Sequence, residues 1–201
     1  RAPMGRQMRD GNLFAQSAEK STLFLDRSAL LPHYTPSHLL FRDKQMDEIV
    51  RSLAVILKGQ KPDNVFLYGK TGTGKTATSR LVLDHLREAS FDSKGKFASA
   101  YMNCRTYNSK YKVISKTVKE FFPQENFLGY SATFVFEKLV EFVNATGSHT
   151  VLALDEVDMV KDLDELIYSL TRINDELKAG SISILGISNK LNFKERLDPR
   201  T

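Results

Sequence analysis

Eight consecutive residues constrain this chain more than any other feature. Gly69-Lys70-Thr71-Gly72-Thr73-Gly74-Lys75-Thr76 satisfies G-x-x-x-x-G-K-[ST] at every fixed position. Ahead of it, Asn64-Val65-Phe66-Leu67-Tyr68 is a short apolar run that predicts a strand. Behind it, Leu81, Val82, His85, Leu86 and Ala89 recur at helical spacing and predict a helix over 77–89. A polyphosphate needs several N–H donors converging at close range. Glycines let the backbone approach, and the following helix offers its free N-terminal N–H groups and dipole. In that frame Lys75 supplies a point charge for β- and γ-phosphates, and the Thr76 hydroxyl can complete the shell of a Mg²⁺ ion. The competing reading is a Gly/Thr-rich surface loop with an incidental lysine, and the strand and helix on either side argue against it.

The rest of the chain continues the strand–helix alternation. Asp43 is a plausible N-cap for a helix through Met46, Ile49, Val50, Leu53, Ile56 and Leu57, which Gly59 and Pro62 stop. A strand is expected over 97–103, then helices over 110–122 and 131–145, separated by Pro123 and Gly129. Thr150-Val151-Leu152-Ala153-Leu154 reads as a strand buried on both faces. Leu163, Leu166, Ile167, Leu170, Ile173 and Leu177 mark another helix, closed by Gly180 ahead of a last strand over 181–187. Such alternation predicts an α/β fold with a parallel sheet covered on both sides. With 201 residues, 41% of them apolar, the chain can build one sizeable core. Residues 1–33 show no sustained period and read as a lead-in around the apolar island Leu23-Phe24-Leu25.

Composition excludes several classes. No apolar run approaches the roughly 18 residues of a membrane-spanning helix, so no membrane partner is expected. A single cysteine, Cys104, cannot close an internal disulfide and fits a reducing compartment. The first residues lack the apolar stretch of a signal peptide, so a cytosolic or nuclear location is expected. The net charge of +5, from 29 Lys and Arg against 24 Asp and Glu, is only a weak pointer to nucleic acid.

The second half of a nucleotide site is expected at Asp155-Glu156, carboxylates that leave the carboxyl end of a buried strand, where open α/β sheets bind ligands. Asp155 would hold Mg²⁺ and Glu156 would act as general base, with Asp158 available to the same acidic cluster. The alternative is that these acids simply open the next helix. Asn189, after the last strand, fits either a water-orienting role or a turn. Arg196 and Arg200 fit either stabilisation of transition-state charge in a neighbouring subunit or a solvated surface. Cys104 reads as a small core side chain, and His33, His38, His85 and His149 lack metal-ligand spacing. Lys110, Lys112, Lys116 and Lys119 run beside Tyr107 and Tyr111, which suits either DNA phosphates or a solvated face.

Together these segments resemble the AAA+ ATPases of the replication-initiator group, the archaeal origin-recognition/cell-division-cycle initiators and their eukaryotic relatives. The likeness covers about residues 24–200. Leu30-Leu31-Pro32-His33-Tyr34-Thr35-Pro36 and Leu39-Leu40-Phe41-Arg42 resemble the opening of that ATPase domain. Tyr101-Met102-Asn103-Cys104-Arg105 resembles its second strand, Val151-Leu152-Ala153-Leu154-Asp155-Glu156 its Walker B strand, Leu170-Thr171-Arg172-Ile173-Asn174 the helix after Walker B, Gly186-Ile187-Ser188-Asn189 its sensor 1 strand, and Leu197-Asp198-Pro199-Arg200 the start of its arginine-bearing box. The resemblance implies a P-loop NTPase αβα sandwich over 34–201 with a helical insertion at about 108–140, and a fragment without the lid and winged-helix domains. It implies ATP or ADP with Mg²⁺ as cofactors, and Tyr34, Leu40 and Arg42 on the adenine side. Arg200 becomes a candidate arginine finger acting in trans, and the insertion a candidate DNA contact.

The activity implied is slow ATP hydrolysis in an initiator that binds double-stranded origin DNA, assembles with other initiator subunits and helps recruit or load the replicative helicase. Its location would be the cytoplasm, beside the nucleoid, in an archaeon, and the nucleus in a eukaryote. The alternatives left open are a helicase-loader, clamp-loader or transposition-type ATPase acting on protein, a P-loop kinase, and a non-hydrolysing scaffold.

Overall fold

Val151-Leu152-Ala153-Leu154 sets the centre of the molecule. In a computed structural model, which describes residues 43–91, 93, 96–127 and 129–193, this run lies in a strand buried along its whole length, His149–Asp155. It is β3; the others are β1 (Val65–Tyr68), β2 (Phe97–Asn103) and β4 (Ser181–Ser188). Among the described residues they form one four-stranded sheet in the order β1-β4-β3-β2, with every pair parallel. Parallel neighbours need crossovers, and helices supply them. Among the described residues the α-helices are α1 (Asp43–Leu53), α2 (Lys75–Ser90), α3 (Lys110–Phe121), α4 (Ala132–Thr146) and α5 (Leu163–Glu176). The strand last in sequence thus slots between β1 and β3, so the loops leaving β1, β4 and β3 open side by side at one rim.

Alternation along the strands separates two cores. Val151, Ala153 and Leu185 face α1 and α2, where they meet Ile49, Leu53, Val82, Leu83 and Leu86. Leu152, Leu154, Ile182 and Ile184 face the other way, onto Val113 and Val118 of α3, Leu139 and Val143 of α4, and Leu166, Ile167 and Leu170 of α5. Each such buried aliphatic side chain contributes about 1.5–3 kcal/mol. Helices therefore cover both faces, the expected αβα sandwich. α3 and α4, within and just beyond the segment expected as an insertion, form the crossover from β2 to β3 and bury Val113, Val118, Val135, Leu139 and Val143 completely.

Two boundaries differ from the periodicity. α1 ends at Leu53, and Ala54–Lys58 tighten into a 3-10 turn that Gly59 closes at φ 72°. α2 begins at Lys75 rather than 77, because Gly74 at φ 79° turns the loop straight into the helix. No helix among the described residues is long and apolar enough to cross a membrane. Tyr34, Leu40, Arg42, Arg196 and Arg200, together with the lead-in at 1–33, lie outside the described residues.

Candidate functional site

The loop after β1 is shaped by glycines. Gly72 and Gly74 hold φ of 78° and 79°, the left-handed region that costs other residues roughly 1–2 kcal/mol. A Cβ added at Gly69 or Gly72 would meet no protein atom within 4 Å. These glycines are therefore not required by internal packing, and the space beside their Cα atoms is open. Lys75 Nζ reaches over the loop and donates to the Gly69 and Lys70 carbonyls, both at 2.9 Å. Thr73 Oγ1 donates to the Lys70 carbonyl at 2.8 Å and braces the turn. A cleft of about 470 Å³ opens beside the loop, lined by Gln45 and Glu48 of α1, Tyr68, Gly69, Thr73 and Lys75. That volume is within the range of small-molecule sites.

The carboxylates after β3 meet this loop. Thr76 Oγ1, in the first turn of α2, donates to Asp155 Oδ2 at 2.8 Å across 79 residues of sequence. Asp155 is buried, at 6% exposure. Its Oδ1 accepts from the Glu156 N–H at 2.9 Å, and its Oδ2 also accepts from the Tyr101 hydroxyl at 2.6 Å. Burial first, then the hydrogen bond and charge of Asp155, push the Tyr101 phenol up to about 12.

Glu156 is the one described non-glycine residue with positive φ, at 51°, a backbone conformation that costs about 1–3 kcal/mol. Asn103 Nδ2 reaches its Oε1 at 3.4 Å, while Arg105 Nε and Nη2 both donate to its Oε2, at 2.8 and 2.7 Å.

Asp158 is engaged by the end of β4 and the residues that follow it. Its Oδ1 accepts from Ser188 Oγ at 2.8 Å and its Oδ2 pairs with Lys190 Nζ at 3.3 Å. Burial alone would raise this carboxyl, but the Ser188 and Lys190 contacts outweigh it and hold it below the ordinary range. Asn189 is exposed, one residue beyond the register pair Tyr68↔Ser188, and so stands beside the start of the glycine loop. Cys104 is fully buried, as its role as a core side chain requires. Its thiol is pushed up to about 12 by burial and then by Asp155, Asp158 and Glu156.

The four lysines divide. Lys112, Lys116 and Lys119 line one groove of about 460 Å³ with Tyr107, Tyr111 and Asn126. Lys110 lines a separate groove with Ala132 and Phe136. At 100° per residue Lys110 falls roughly opposite the other three, and that geometry separates them. Lys112 Nζ donates to Asn108 Oδ1 at 3.1 Å, and Lys116 pairs with Glu120 and sits 5.9 Å from the Tyr107 ring centre.

Sequence reasoning brought Thr76 and Asp155 to one rim but missed Tyr101, Asn103 and Arg105 around the carboxylates. Their signal is the pairing of β2 with β3, which sets Asn103 beside Asp155.

The AAA domain model matches residues 58–192, a stretch that holds both the glycine loop and the carboxylates. The chain belongs to the AAA domain family. Among curated proteins it is 40% identical over 190 residues to "ORC1-type DNA replication protein 1" of Archaeoglobus fulgidus, covering 94% of this chain and 46% of that protein. It is 36% identical over 202 residues to "ORC1-type DNA replication protein" of Pyrococcus horikoshii, covering 98% and 48%. The chain thus spans about half the length of the curated relatives it matches. The Aeropyrum pernix ORC1 protein, solved in complex with DNA, superposes with a TM-score of 0.77 at 37% identity, over 88% of this chain and 46% of that one. The Aeropyrum pernix ORC2 protein, solved as ADPNP-ADP complexes, shares the fold with a TM-score of 0.73 at 22% identity, covering 84% of this chain and 46% of that one. The resemblance to the archaeal initiator group therefore extends over nearly the whole sequence and to the three-dimensional fold.

Proposed function

We propose that this chain is the ATP-binding and ATP-hydrolysing module of a DNA replication initiator. The observation that carries the reading is the meeting of Thr76 and Asp155, 2.8 Å apart, which joins a glycine phosphate loop and an acidic strand end into one site. A hydroxyl and a buried carboxylate fit Mg²⁺, which takes few protein ligands and completes its shell with water and phosphate oxygens. The bare backbone at Gly69 and Gly72 fits a polyphosphate. When bound, Mg²⁺ supplies charge neutralisation at the β- and γ-phosphates.

The chain's own residues then divide the work. The amides of Gly72, Thr73, Gly74, Lys75 and Thr76 cradle phosphate oxygens, and Lys75 Nζ exchanges the Gly69 and Lys70 carbonyls for them. Thr71 and Lys70 complete the loop. Thr76 and Asp155 hold the metal side. Glu156 Oε1, the oxygen not engaged by Arg105, takes a proton from the attacking water. Asn189 orients that water from the neighbouring strand end. Tyr34, Leu40 and Arg42 contribute to the adenine side, and Arg200 serves a neighbouring subunit's site.

In the whole protein this module responds to nucleotide while the protein engages double-stranded origin DNA and other initiator subunits and helps recruit or load the replicative helicase. Its lysine groove, Lys112, Lys116 and Lys119, faces DNA phosphates, while Lys110, on the other side of the helix, stands apart from it. The ORC1-type names of the relatives support this assignment.

Glu156→Gln tests the chemistry. It removes the base while keeping its size, so ATP binding persists and turnover is lost. Turnover equal to the wild type refutes the general-base role.

A further inference from the structure

Tyr101 plays no part in the scheme above, yet it makes the shortest hydrogen bond to Asp155, at 2.6 Å. β2 and β3 pair so that Tyr101 stands beside Ala153, on the sheet face that Asp155 shares two residues further along. The phenol is thus carried along the strand to the carboxylate, and it addresses Oδ2, the same oxygen that Thr76 addresses. The remaining oxygen is fixed by the Glu156 N–H. Arg80, one helical turn after Thr76 on α2, lies 4.2 Å from the centre of the Tyr101 ring. The ring is therefore clamped between a guanidinium and the carboxylate it serves.

Resting on the Mg²⁺–ATP reading of this site, we propose that Tyr101, held by Arg80 over its ring, is a positioning residue that fixes Asp155 in its metal-facing orientation. An unpinned aspartate rotates about two side-chain bonds and must be ordered at the moment of metal binding. Here the phenol, the Thr76 hydroxyl and the Glu156 amide order it beforehand. Partners of this kind, which orient a metal ligand without touching the metal, commonly change metal affinity by 10–100-fold when removed.

The test is ATP affinity measured in Mg²⁺ and again in EDTA, on the full chain and on Tyr101→Phe, with thermal melts beside them. The phenylalanine keeps the ring and deletes the hydroxyl. The wild type binds more tightly in Mg²⁺ than in EDTA; Tyr101→Phe loses about tenfold in Mg²⁺ and less than twofold in EDTA. A merely structural role would weaken both conditions by the same factor, and that outcome, or an undiminished Mg²⁺ enhancement, overturns the assignment. Should Tyr101→Phe fail to fold, Arg80→Met leaves the phenol and removes only the cation. It shows the same selective loss, about threefold, and an unchanged Mg²⁺ enhancement in that variant likewise overturns the assignment. A wild type that binds ATP equally in Mg²⁺ and EDTA overturns the metal reading of Thr76 and Asp155 together with this one. An enhancement in the wild type that Tyr101→Phe retains refutes Tyr101 alone.

Discussion

Gly186→Ala probes the strand pairing that brings the two halves of the site together. Gly186 lies in β4 in register with Phe66 of β1, and a Cβ built on it would sit 2.4 Å from Phe66 Cδ1 and 2.6 Å from Cε1. Ordinary van der Waals contact begins near 3.4 Å, so about 1 Å of movement is required. The ring cannot step aside freely, because it packs against the fully buried ring of Phe193 at a centroid distance of 5.7 Å. Overpacking of this kind costs about 1–3 kcal/mol. Near the middle of that range, about 2 kcal/mol, the loss is partly offset by the ~0.5–1 kcal/mol that Gly→Ala gains by restricting the unfolded chain. The net is about 1–1.5 kcal/mol, a fall in Tm of about 2–6 °C for a chain of this size. Differential scanning calorimetry of Gly186→Ala, Phe66→Leu and the double variant measures it. The double variant should recover most of the alanine's cost, a coupling of at least ~0.5 kcal/mol. Additive losses, or no loss in Gly186→Ala, would mean that β1 and β4 are not paired in this register, and the placement of the glycine loop beside Asn189 would fail with it.

Three further outcomes follow from the same geometry. Cys104 is fully buried with its thiol raised to about 12, so a thiol reagent labels it at a rate set by unfolding; labelling within seconds in native buffer would contradict its placement. His149 is buried, with Nδ1 2.8 Å from Ser181 Oγ, and burial outweighs the Gly59 backbone contact to hold its pKa below the ordinary 6.5. The unfolded chain therefore takes up the proton first, so this residue's contribution is intact above about pH 6.5 and is lost as pH falls below it. Urea midpoints between pH 7.5 and 5 should fall less steeply in His149→Gln, and parallel curves would refute the assignment. For DNA, replacing Lys112, Lys116 and Lys119 by alanine should make the salt dependence of duplex binding shallower by about 0.9 for each phosphate no longer neutralised. Identical slopes would remove the groove from the interface.

The sequence made the αβα sandwich legible because its two periodicities alternate cleanly, and the glycine loop because its spacing serves one chemistry. The meeting of Thr76 with Asp155 was also within reach: parallel strands deliver their following loops to the same rim. Strand order was not. β1 and β3 hold short apolar runs and β4 mixes serine with aliphatic residues, and nothing local says that β4 lies between the other two. The residues around the carboxylates were hidden for the same reason, since Tyr101, Asn103 and Arg105 reach Asp155 and Glu156 only once β2 is known to flank β3. Gly186 did carry a readable signal, because a glycine inside an apolar strand marks a close approach. The separation of Lys110 from Lys112, Lys116 and Lys119 was readable too, from the 100° step of the helix. Asp158 looked like a third acid for the site, but Ser188 and Lys190, on either side of Asn189, claim it, the serine across 30 residues of sequence, and such long-range pairing leaves no local trace.

The most direct measurement is an equilibrium titration of this chain with a fluorescent ATP analogue in Mg²⁺, run in parallel on Lys75→Ala. One saturable site is expected, with affinity falling on the order of ten- to hundredfold when the charged hydrogen bonds of Lys75 are removed. Absence of saturable binding, or equal affinity in the two proteins, would contradict a nucleotide site at the joined ends of β1 and β3.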